Sequence, residues 1–63
     1  MQAYQERVVE EKRELDEKLA KLVAFRRTDQ FIGLASDEQC RMTRQRSFME
    51  GYSKVLGERI EAF

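Results

Sequence analysis

Apolar side chains recur every seven residues in two separate stretches of this chain: Val8, Leu15 and Leu22 in the first half, and Met42, Met49, Leu56 and Phe63 in the second. A step of seven returns to nearly the same side of an α-helix, so each stretch draws an apolar line along one helix face. A second line, Tyr4, Glu11, Lys18 and Phe25, runs beside the first, and Leu19 and Val23 widen the stripe. In the second half Gln45, Tyr52 and Arg59 run beside the Met42 line, with Phe48, Val55 and Ile60 widening it further. Strong helix formers fill the remaining positions, and Glu14 to Lys18 and Glu17 to Lys21 set acid before base four residues apart. Met42, Phe48 and Met49 are expected in the core.

The periodicity breaks between Arg27 and Ser36, where Thr28, Asp29, Gly33 and Ser36 interrupt it while Phe31, Ile32 and Leu34 stay apolar. Three apolar residues in a connection predict that it folds back to cap the core. Ser36 and Gln39 have the spacing of a capping box, and Asp37 and Glu38 put negative charge where the next helix begins. The expected order is a helix over about residues 2–26, a loop over about 27–36 and a helix over about 37–62, one domain spanning 1–63. Gly51 and Gly57 each cost the second helix roughly 1 kcal/mol relative to Ala, which signals either close packing or tolerance. The connection lets the two helices return antiparallel, so the fold class is all-α, a two-helix hairpin.

A hairpin of this size is short of stabilising contacts. The chain has 63 residues, and a core that small supplies no more than about 3–5 kcal/mol without a staple. Cys40 is the only cysteine and there is no His, which leaves no internal disulfide and no common zinc spacing. Each apolar stripe is also wider than one helix can cover. The chain is therefore expected to assemble as a homo-oligomeric helical bundle, with an even number of protomers because two-fold contacts are commonest. Without His the usual general base of nucleophilic catalysis is missing, nothing resembles a phosphate-cradling Gly-rich loop, and the reading is a protein that is not an enzyme and needs no cofactor. The uncharged stretch Gln30–Ser36 is too short to span a membrane and the charged start is not a signal peptide, so a soluble cytoplasmic protein is expected.

Formal net charge is zero, but the charge is unevenly placed. Residues 18–46 hold seven basic side chains against three acidic ones, a net of +4, and the rest of the chain carries −4. In an antiparallel hairpin this makes a rod with a basic loop end and an acidic terminal end. Four polar residues, Glu11, Lys18, Gln45 and Arg59, occupy line positions that a purely structural coiled coil fills with Leu or Ile. Such residues can specify register and oligomer state. They can equally line a polar pocket, with Lys18 and Arg59 suited to phosphate oxygens. Tyr4 and Tyr52 can stack on a nucleobase or serve as ordinary packing.

The run Tyr4-Gln5-Glu6-Arg7-Val8-Val9-Glu10-Glu11-Lys12, followed by Leu15-Asp16-Glu17-Lys18 and Lys21-Leu22, resembles the first helix of the hairpin domain shared by phage anti-CBASS and anti-Thoeris cyclic-nucleotide sponges. Arg44-Gln45, Met49, Tyr52, Val55-Leu56 and Arg59-Ile60 resemble its second helix, so the likeness covers nearly the whole chain. The small anti-CBASS sponges are the nearest type. The resemblance implies compact helical oligomers, commonly hexamers, that bind cyclic oligonucleotide messengers without cleaving them and so keep a bacterial immune effector inactive. Cyclic dinucleotides of the cyclic GMP-AMP kind sit between paired protomers, and some members hold cyclic trinucleotides at a separate shared site. Carried onto this chain, Tyr4 matches the base-stacking aromatic, Lys18 the basic residue that meets the dinucleotide, and Arg59 is the candidate for the trinucleotide site. Arg7 and Gln45 are further candidates. The chain departs from the family pattern at Cys40, Arg41, Met42 and Thr43, where Leu-rich positions are expected, and at the Arg26-Arg27 pair; both departures bear on ligand range and assembly.

Two other readings stay open on residues alone. One is a structural helical adaptor whose polar line positions only fix pairing. The other is a small nucleic-acid binder that uses the basic tip, disfavoured by the zero net charge.

Overall fold

The computed structural model describes all residues 1–63. It is an antiparallel hairpin of two long helices, α1 (Ala3–Phe25) and α3 (Ser36–Glu61), joined through a four-residue helix, α2 (Asp29–Ile32). The rod measures 46 × 14 × 13 Å, the cross-section of two helices side by side. The apolar line of α1 forms one half of the seam: Val8, Leu15 and Leu22 are buried. From α3, Leu56 is 1% exposed, and Met49 and Ile60 pack against the Val8, Leu15 and Leu56 cluster.

Polar contacts fix the register of the seam. Ser53 donates its hydroxyl to Asp16 Oδ1, whose other oxygen takes Lys12 Nζ at 2.7 Å. Near the tip Arg26 Nη2 donates to Thr43 Oγ1 at 3.1 Å. At the terminal end the rings of Tyr4 and Phe63 meet edge to face, 5.8 Å between centroids. Gly57 belongs to the same register, because a Cβ there would stand 3.4 Å from Lys12 Cε. Gly51 has open space around its missing side chain, so of the two glycines only Gly57 sits at a close approach.

The start of α3 differs from the expected capping box. Ala35 is the N-cap and offers no side-chain bond. Gln39 instead reaches back out of the helix, its Nε2 shared among the carbonyls of Phe31 at 2.9 Å, Ile32 at 3.1 Å and Leu34 at 3.1 Å. A side chain that ties three carbonyls of a tight connection gives those of Ile32 and Leu34 a donor and adds a second to that of Phe31, which already takes the Leu34 N–H, so Gln39 serves the connection and not the helix end. The true caps lie elsewhere. Gln5 accepts the Gln2 N–H at 2.9 Å, and Thr28 accepts the Phe31 N–H at 3.3 Å while donating to the Phe25 carbonyl at 2.7 Å. Phe31 and Leu34 fold back half-buried, with Phe31 edge-on to Phe25, whereas Ile32 stays 70% exposed.

Phe48 also departs from expectation. It is 72% exposed and Met42 and Met49 are half-buried. Two helices bury one narrow strip of each other, and Phe48 lies about 100° of helix turn away from that strip.

Candidate functional site

The 100° step of the helix decides where the polar line positions go. Lys12 and Asp16 on α1 and Ser53 and Gly57 on α3 meet along one flank of the seam. Tyr4, Arg7, Glu11 and Lys18 are rotated to the opposite flank of α1, and Gln45, Tyr52 and Arg59 to the opposite flank of α3, so all seven share one broad face of the rod. All are exposed, with Tyr4 at 50% and Tyr52 at 46%. Within one hairpin these residues are therefore not seam positions, and a register role for Lys18 inside the hairpin does not arise.

The cations on this face have no ion-pair partner. Salt bridges engage Lys12, Arg13, Arg41 and Arg46, each with carboxylates on its own helix. Arg7, Lys18 and Arg59 have none and make no side-chain hydrogen bond within the chain, so each presents an unspent charge. Carboxylates elsewhere are held by their neighbours. Asp16 sits below its ordinary value, first because of the Lys12 ammonium and then the Ser53 hydroxyl, and Glu10 is lowered chiefly by the hydrogen bond from Arg13.

Distance separates the candidate residues along the rod. Tyr4 and Lys18 lie about 21 Å apart on α1 at 1.5 Å per residue. The Asp16–Ser53 register sets Arg59 near the level of Glu10 and Gln45 near that of Ala24, so Tyr4 and Gln45 stand about 30 Å apart along the axis. One hairpin brings these groups to one face and does not bring them to one small ligand. The face also carries exposed carbon, with Val55 at 51% and Phe48 beside it.

Two concavities are present. One, of about 370 Å³, lies along α3 between Arg41, Arg44, Gln45, Phe48 and Met49. The other, of about 450 Å³, lies at the hairpin tip between Arg26, Phe31, Ser36, Gln39, Cys40, Thr43 and Arg44. Neither includes Tyr4, Arg7, Lys18 or Arg59. No group of three or more His, Cys, Asp or Glu side chains could hold a metal ion, and no helix is long and apolar enough to cross a membrane. Sequence reasoning missed the gathering of Phe48 and Val55 with the polar candidates on one face; the signal was that each lies one residue, and so about 100° of helix turn, before a member of the Met42 line.

A model of the Sequestin family matches residues 2–62, nearly the whole chain. No curated protein and no solved structure gives a match. The chain belongs to the Sequestin family.

Proposed function

We propose that this Sequestin-family hairpin is a phage anti-immune sponge: it binds and sequesters cyclic dinucleotide second messengers, and cyclic trinucleotides where the second site persists, without cleaving them. In the cytoplasm of an infected bacterium this denies the messenger to the immune effector that it activates. The family name fits sequestration, and the resemblance to anti-CBASS sponges supplies the ligand class. The observation that carries the reading is the shared face on which Arg7, Lys18 and Arg59 lie exposed without carboxylate partners, beside Tyr4, Tyr52, Phe48 and Val55.

Groups spread along some 30 Å of rod become useful when a second hairpin lays its own face against the first. A two-fold relation then sets two Lys18 ammoniums and two Tyr4 rings around a ligand that itself has two phosphates and two bases. Lys18 and Arg7 meet phosphate oxygens, Tyr4 stacks on a base, and Gln45 reads a base edge. Arg59, at another level of the rod, serves the trinucleotide. Burying Phe48 and Val55 in the same contact stabilises the assembly, for which a hexamer is the expected count, and fixes the pocket before the ligand enters.

Isothermal titration with cyclic GMP-AMP tests this reading. Saturable binding is expected, with the ligand recovered intact and weakened by roughly 2 kcal/mol or more in Lys18→Ala, since a charge-assisted contact is lost. Absence of binding across a panel of cyclic di- and trinucleotides overturns it.

A further inference from the structure

The tip holds a concavity that takes in none of the face residues, although Arg44 borders both it and the hollow beside Gln45 and Phe48. The tip concavity, of about 450 Å³, falls within the size range of small-molecule sites, and two of its walls are Arg26 and Arg44 with no carboxylate among the lining residues. The nearby acids are spent: Arg41 takes Glu38 at 2.8 Å and Asp37 at 3.7 Å. Arg26 is held in one orientation, its guanidinium 5.6 Å from the Phe31 ring centroid and Nη2 on Thr43 Oγ1. Despite that positioning, Arg26 Nε is buried without a hydrogen-bond partner, the one such side-chain atom in the chain. A desolvated guanidinium donor left unmatched is costly, and the Arg26 donors not engaged with Thr43 remain available to an anion.

We propose that the tip concavity is a binding pocket for a small phosphomonoester carrying a flat apolar group, a site separate from the face described above. Phosphate oxygens meet the free donors of Arg26 and Arg44, and the Ser36 hydroxyl, which makes no hydrogen bond within the chain, supplies a neutral donor. The flat group lies along Phe31. Gln39 forms wall only, because its amide N–H groups are committed to the carbonyls of the connection. Two arginines beside a shallow, largely open hollow on a chain of zero net charge suit one small anion better than a nucleic-acid backbone, which needs a longer basic track.

Cys40 gives the test a built-in reporter. It is the only cysteine, it is exposed, and it lines the pocket. The rate of its alkylation by N-ethylmaleimide, an uncharged reagent, is measured with phenyl phosphate, inorganic phosphate, phenol, and sodium chloride at matched ionic strength. Phenyl phosphate is expected to slow the reaction saturably and at lower concentration than inorganic phosphate, with phenol and chloride without effect. Arg44→Gln, which removes an exposed charge and no contact of the fold, is expected to raise the half-protecting concentration about tenfold or more, the loss of one charge-assisted bond. Arg26→Lys is expected to do the same, since it keeps the charge and loses the fork. Lys18→Ala is expected to leave protection unchanged, which separates this site from the sponge face. The proposal is overturned by no protection, by equal protection from chloride, by protection that survives Arg44→Gln, or by protection from a duplex DNA oligonucleotide where phenyl phosphate gives none. Circular dichroism verifies that each variant stays helical.

Discussion

Asp16 shows how a single side chain ties this fold together. Its two oxygens join a lysine one turn earlier on its own helix to a serine 37 residues away on the other. Both partners favour the ionised form, so the folded-state pKa lies below the ordinary value of a carboxyl. The sign of the linkage follows. Above the ordinary carboxylate range the interaction contributes in full, and it is lost as pH falls through the lowered folded value. Urea unfolding midpoints measured down through the acid range are expected to drop at the acid end, and Asp16→Asn is expected to flatten that drop. The effect is modest because the carboxylate remains partly in water. An acid limb identical in the variant contradicts the role assigned here. The other informative residues are those without partners. Arg7, Lys18 and Arg59 stay unpaired on one face, while Lys12 and Arg13 are satisfied by carboxylates of their own helix.

The two long helices and their antiparallel return were legible in the sequence because the seven-residue lines need only local periodicity. Which flank faced inward was not. Val8, Leu15, Leu22 and Leu56 are buried while the neighbouring lines through Tyr4, Lys18, Tyr52 and Arg59 are open, and both lines have the same period. The choice depends on how wide a strip one partner helix covers, a tertiary quantity. The Asp16–Ser53 and Arg26–Thr43 contacts were hidden for the same reason, since they need the register of α1 on α3. Gln39 was misread because its spacing from Ser36 imitates a cap, while the carbonyls of the connection offered it better partners. Two element-level tests follow from the refined picture. Gly51→Ala meets no atom within 4 Å and is expected to stabilise the hairpin by about 0.5–1 kcal/mol, seen as a raised thermal midpoint. Gln39→Leu removes the tie across the α2 connection and is expected to cost about 1 kcal/mol or more. A neutral result for Gln39→Leu leaves the connection without the role described.

As a whole molecule the hairpin is a 46 Å rod with four buried residues, all aliphatic, and a dipole of charge from basic tip to acidic terminal end. So little burial leaves an isolated rod marginal, and the same face that exposes Phe48, Tyr52 and Val55 carries the unpaired cations. The proposed assembly uses both at once. Val55→Glu is expected to shift sedimentation toward the 7.5 kDa protomer and to weaken ligand binding with it, since the proposed pocket lies between copies. An oligomer unaffected by that change places the contact elsewhere. Native mass spectrometry of the full chain mixed with cyclic GMP-AMP tests the central claim most directly, because one spectrum reports protomer number, ligand stoichiometry and ligand mass. A multi-copy assembly that retains the intact cyclic dinucleotide is expected, with Lys18→Ala still assembled and carrying less ligand. A bare protomer, an assembly that never carries ligand, or a ligand mass increased by water would contradict it.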